Sequence, residues 1–232
     1  MNYFKEIILL LKHTLQADLA DGEKSFSPLL FALTLLLMLN FSLSAIPQLY
    51  ASNLFVAQLT LVTFFATQIA LSQCFKAEQQ DQLFDVMRTS IQSPTAWIVA
   101  KWLSVLLSCS LLTIPMTLIL SLFSQASDLP WLGIIFFLAT TLVGLTALGI
   151  LVSTLTLTAN GREVLFPLLF FPLTIPILLA CSEGLNTLMN TQSLQWNQWS
   201  GLALGFDVIF ITLSILLTTE LMVLRQSPSS GD

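Results

Sequence analysis

The sequence predicts an all-α integral membrane protein: six transmembrane helices preceded by an amphipathic helix. Three observations predict it. The 232 residues are 55% hydrophobic and only 9% charged, with mean hydropathy +0.85, whereas soluble domains carry about 25% charged residues. The apolar residues gather into six runs long enough to cross a bilayer. All eight Lys and Arg residues fall on one side of those runs.

A spanning helix needs about 20 predominantly apolar residues, because each adds about 1.5 Å across a hydrocarbon core of about 30 Å. The runs are Pro28–Ile46, Asn53–Gln73, Trp102–Phe123, Pro130–Leu157, Val164–Ser182 and Gln198–Val223. The whole chain, 1–232, reads as a single membrane domain. Residues 1–27 form an amphipathic N-terminus, 28–223 the six-helix part and 224–232 a cytoplasmic tail.

The N-terminal stretch does not read as a signal peptide. Its apolar core Ile7–Leu11 is short, and Lys12, His13 and Asp18 follow instead of a small-residue cleavage site. Phe4, Ile8, Leu11, Leu15 and Leu19 recur at helical spacing. That pattern predicts a helix lying in the membrane interface. The alternative is a soluble helix packed on the following loop.

The second run holds Gln58, Gln68 and several threonines, side chains expected to face other helices and not lipid. Lys5, Lys12 and Lys24 precede the first run; Lys76, Arg88 and Lys101 lie between the second and third. Arg162 separates the fourth from the fifth, and Arg225 follows the sixth. By the positive-inside rule their shared side is the cytoplasm, with both termini there. The segments 47–52 and 183–197, which carry no cation, are then expected on the far side.

Several chemistries are excluded. The chain holds no G-x-x-x-x-G-K-[ST], so it builds no P-loop for ATP. Its single histidine, His13, leaves no HExxH and no histidine inside a span. Cys74, Cys109 and Cys181 have no metal-ligand spacing, and the two in apolar runs read as small hydrophobes. No basic tract points to nucleic acid.

Two acids, Asp207 and Glu220, fall inside the sixth run, on nearly opposite helical faces. They form no catalytic dyad. Glu220 is near the end and can snorkel, whereas Asp207 is deep and is expected to face the bundle interior. Ser200, Asp207, Ser214 and Thr218 share one face. That stripe reads either as a membrane polar site or as an interhelical hydrogen-bond seam.

The fifth run, FPLLFFPLTIPILLAC, carries Pro167, Pro172 and Pro176. Each removes a backbone donor and frees a carbonyl that neighbouring helices must satisfy. Pro172 and Pro176 predict a helix bend, either a hinge at a moving interface or a static kink.

The hydrophilic segment 73–102 places Phe75, Leu83, Phe84, Val86 and Met87 on one face, with Glu78, Asp81, Asp85 and Arg88 opposite. Pro94 suits the first turn of the third span. A short amphipathic helix here offers an external ATPase a place to push.

The arrangement of Glu78, Leu83, Pro94 and Lys101 is similar to that of exporter-type ABC permeases. The Pro172-Leu173-Thr174-Ile175-Pro176 stretch within FFPLTIPILLA resembles a motif of the CcmB family, the permease (haem exporter protein B) of cytochrome c maturation. The resemblance covers essentially the whole chain. One departure is Gln80-Asp81-Gln82, where the family commonly has an Asp-Gly turn.

The resemblance implies an ABC exporter-type permease in the bacterial inner membrane, and two copies would complete a transporter body. It implies pairing with the ATPase CcmA and association with CcmC, CcmD and the haem chaperone CcmE. Glu78, Asp81, Leu83, Asp85, Arg88 and Pro94 would form the ATPase-coupling loop. ATP would sit on the partner, no cofactor would bind directly to this chain, and haem is a candidate substrate. The work would be haem export or release of haem-loaded chaperone, with no enzymatic activity in the chain itself. The competing functions are a secondary transporter coupled through Asp207, a passive membrane scaffold and an intramembrane enzyme.

Overall fold

The computed structural model describes Ile8, Leu11 and residues 22–43, 50–73, 94–124, 129–156, 161–191 and 198–226. Among the described residues it contains six long helices: α1 (Gly22–Leu43), α2 (Ala51–Gln73), α3 (Pro94–Phe123), α4 (Trp131–Thr156), α5 (Arg162–Thr191) and α6 (Gln198–Gln226). All six contain stretches long and apolar enough to span a membrane. The protein is an all-α integral membrane protein, as its composition requires.

The bundle is organised around α4. Of its apolar stretch 72% is buried, against 17% of that of α1. α4 packs on α6, α5, α2 and α3, while α1 rests mainly on α2. Without a hydrophobic driving force between helices in lipid, close packing depends on small residues. Gly133 takes Leu188 of α5, Gly144 takes Phe206 and Asp207 of α6, and Gly149 takes Leu71 of α2. In return, Gly184 of α5 takes the ring of Phe137. α4 thus meets three different neighbours, each through a glycine.

Two apolar clusters are stacked along the bundle axis. One gathers Leu71, Trp97, Ile98, Leu148, Val152 and Phe166, near the end where α3 and α5 begin. The other gathers Phe55, Leu59, Leu120, Ile134, Phe137 and Leu185, near the opposite end. The Phe170 ring stacks on Phe166 at 5.2 Å and on Phe64 of α2 at 6.1 Å. Outward faces are apolar too, as at Leu111, Leu118, Leu132 and Val208, which suits a surrounding of acyl chains.

Three boundaries differ from the sequence reading. α1 starts at Gly22 and carries Pro28 within it. α3 starts at Pro94, the residue expected in its first turn, ahead of the apolar run that begins at Trp102, because Ala96, Trp97, Ile98 and Ala100 are buried and extend its packed face. Lys101 is therefore not a loop cation; it lies inside the helix and is 3% exposed. α5 continues past Ser182 to Thr191, since Leu185, Leu188 and Met189 prolong its buried stripe. Most of the expected 183–197 loop is thus helix, and Glu183 joins Asp207 and Glu220 as an acid within the helical bundle. Of the N-terminal helix, Ile8 and Leu11 are helical; Phe4, Leu15 and Leu19 lie outside the described residues.

Candidate functional site

α6 presents Ser200, Asp207 and Ser214 inward, all buried; the spacing of seven residues returns each to the same face after two turns. The side chain of Thr218, the fourth member of the stripe, lies outside the described ones. Asp207 is 5% exposed, and its Oδ1 has no hydrogen-bond partner. The carboxyl fits over Gly144: a Cβ built there would lie 2.6 Å from Oδ1. Residue 144 must therefore be glycine for α4 and α6 to meet at this depth. α4 itself carries no ionisable side chain.

Two residues beyond Gly144, Trp102 Nε1 of α3 donates to Thr146 Oγ1 of α4 at 3.1 Å. Thr146 donates in turn to the Leu142 carbonyl at 2.7 Å. This ties α3 to α4. Elsewhere in the bundle, Cys181 of α5 lies within hydrogen-bond reach of Thr60 of α2 and Thr141 of α4. Cys109 and Cys181 are both buried, in keeping with their reading as small core residues. Cys74 lies outside the described residues. No group of three or more His, Cys, Asp or Glu able to hold a metal occurs among the described residues.

α5 runs unbroken through Pro167, Pro172 and Pro176. Its buried side is Phe166, Phe170, Thr174, Ile177 and Cys181, and Pro172 and Pro176 sit on the exposed side with Leu168, Ile175 and Leu179. The missing donors free the carbonyls of Leu168 and Pro172. The Thr174 hydroxyl donates to the Phe171 carbonyl at 2.8 Å, so that acceptor between them is served locally. Gly161 immediately precedes α5, and its φ of 84° favours glycine. The Gly161 carbonyl accepts from Val164 and Leu165 at 3.0 and 3.1 Å.

Glu78, Asp81, Leu83, Asp85 and Arg88 lie outside the described residues. Pro94 is the first residue of α3. Sequence reasoning missed Gly144 and Lys101 as parts of the buried core. The signal for Gly144 was available in the spacing of Gly133, Gly144 and Gly149 on a run with no charge.

These features define a polytopic membrane protein whose one deep carboxyl sits at a glycine-tight helix seam and whose sequence has no P-loop. The chain matches the CcmB protein family over residues 5–222 and belongs to it. That family supplies ABC-type permeases of haem export and c-type cytochrome biogenesis. No curated protein matches the chain.

Proposed function

We infer that this chain is the membrane subunit of an ABC-type complex that couples ATP hydrolysis on a partner to haem export or to release of a haem-loaded chaperone. The carrying observation is the family match over 5–222 on a six-span chain with no nucleotide-binding motif of its own. The ATPase partner is CcmA, with CcmC, CcmD and CcmE as further components. A homodimer completes the transporter body. The 74–93 segment is the docking site for the ATPase, through Glu78, Asp81, Leu83, Asp85 and Arg88, with Pro94 starting the helix that receives the push.

Because successive spans alternate in direction, the start of α3, the start of α5 and the end of α6 share one end of the bundle. Lys101, Arg162 and Arg225 belong to that end, which supports its assignment to the cytoplasm of a bacterial inner membrane. With no histidine inside a span, the chain offers haem no imidazole within the membrane. That favours coupling to chaperone release over passage of haem through this subunit. Haem is in either case substrate and not a resident group.

The buried Asp207 favours one second reading, a transporter coupled through that carboxyl. Affinity purification from native membranes separates the two. The ABC reading expects a Walker-motif ATPase to co-purify and a Walker-lysine variant of that ATPase to abolish cytochrome c maturation. A chain that purifies alone, with function dependent only on a proton gradient, would overturn it.

A further inference from the structure

α1 and α5 both pack on α2. The Phe64 ring of α2 packs with Phe170 and Phe171 of α5, and the next ring, Phe65, packs with Phe31 of α1. At about 100° per residue, Ala57, Leu61 and Gln68 project between those two directions. Ala57 and Leu61 are exposed and Gln68 is half-buried. Phe31 and Phe171, both exposed, stand on the two rims. The face is therefore an apolar furrow between α1 and α5 with one amide in its floor. That amide makes no hydrogen bond among the described residues. On the exposed side of α5, the carbonyls of Leu168 and Pro172 have lost their helical donors to Pro172 and Pro176.

Acyl chains covering this furrow would leave all of these groups unpaired, because hydrocarbon neither donates nor accepts a hydrogen bond. A primary amide carries both functions, so the group that best complements Gln68 is another Gln68. A two-fold axis along the membrane normal keeps every residue at its own depth and brings the two amides together. We propose that the furrow is the interface between two copies of this chain, isologous about a Gln68–Gln68 amide pair, with α1 and α5 of each copy closing on the other. This deepens the homodimer reading above and rests on it.

The test uses the full-length chain in its native membranes, made as two differently tagged copies. In a chain whose Cys74, Cys109 and Cys181 are replaced by alanine, Leu61→Cys, which keeps Gln68, is expected to cross-link to its own image on oxidation with copper phenanthroline. Gly205→Cys, on the outer side of α6, is expected to stay monomeric. Gln68→Leu, close to glutamine in volume, is expected to raise the dimer dissociation constant in detergent about three- to tenfold, the worth of one interhelical amide contact. Gln68→Asn is expected to fall between that variant and wild type. Tagged copies that do not co-purify overturn the homodimer reading and this interface together. Copies that co-purify but cross-link through Gly205→Cys and not through Leu61→Cys overturn the interface alone. So does a Leu61→Cys chain that cross-links only to a different protein, which would assign the furrow to another subunit. A Gln68→Leu chain that dimerises as tightly as wild type overturns the amide pair.

Discussion

Asp207 and Gly144 meet at the α4–α6 seam so closely that a single added methyl would lie 2.6 Å from the carboxyl oxygen. The Phe206 ring stands 3.0 Å from the same point, so neither neighbour can retreat without moving the other. Gly144→Ala is therefore expected to lower stability by about 1–3 kcal/mol, the usual range for overpacking. Thermal unfolding in detergent, read with and without Asp207→Ala, checks this. Partial recovery in the double variant is expected, and a Gly144→Ala protein as stable as wild type would contradict the packing.

Glycines elsewhere should behave differently. A Cβ at Gly184 would sit 2.2 Å from the Phe137 ring, whereas one at Gly201 or Gly205 would meet nothing within 4 Å. Gly184→Ala should reduce membrane abundance. Gly205→Ala should leave the isolated chain unchanged or stabilise it by up to about 1 kcal/mol, the helix-propensity gain. Side-by-side melting curves of the two variants provide the comparison.

The outward position of Pro172 and Pro176 sharpens the test of a functional bend. Replacing both with Ala restores two backbone donors, an effect of up to about 3 kcal/mol per site on a water-based scale. Neither ring is part of the buried core. The double variant should therefore accumulate normally yet lose c-type cytochrome maturation, with smaller defects in the single variants. Abundance and cytochrome yield measured in the same cells decide it. Normal yield would eliminate the hinge, and proportional loss of both would favour a static kink.

Reversing the charges of Asp85 and Arg88 is expected to weaken co-purification of the ATPase while leaving insertion and abundance intact. Unchanged association and unchanged maturation would remove the 74–93 segment from the coupling role.

Single cysteines at Gln48 and Gln195 should be labelled from one side of the membrane, and one at Ser90 from the other. Labelling of all three from the same side would overturn the topology.

Hydropathy made the number and order of spans legible, because an apolar run of bilayer length has few other uses. It located the oily centre of each helix and not its ends. Lys101 looked like a loop residue since cations usually mark the end of a span. Pro94 already marked the first turn, and the buried neighbours Ala100 and Ser104 show that Lys101 is packed inside the helix. Glu183 and Asn186 likewise masked the continuation of α5, which Gly184 permits by letting Phe137 approach. Asp207 could be placed on an inward face from its spacing with Ser200 and Ser214. Its fit over Gly144 could not, because periodicity within one helix does not set the register between two.

The threonines of α4 bear on how the chain is made. Thr140, Thr141, Thr146, Thr154 and Thr156 each donate to a carbonyl of their own helix, with distances from 2.6 to 3.0 Å for the shortest bonds. Their hydroxyls need nothing from α5 or α6. During synthesis α4 leaves the ribosome before those two helices exist, and its future contact faces then look onto acyl chains. A segment whose threonines serve their own hydroxyls and that bears no charge is at ease in lipid at that moment. The hub of the finished bundle is thus also the span best able to wait for its partners.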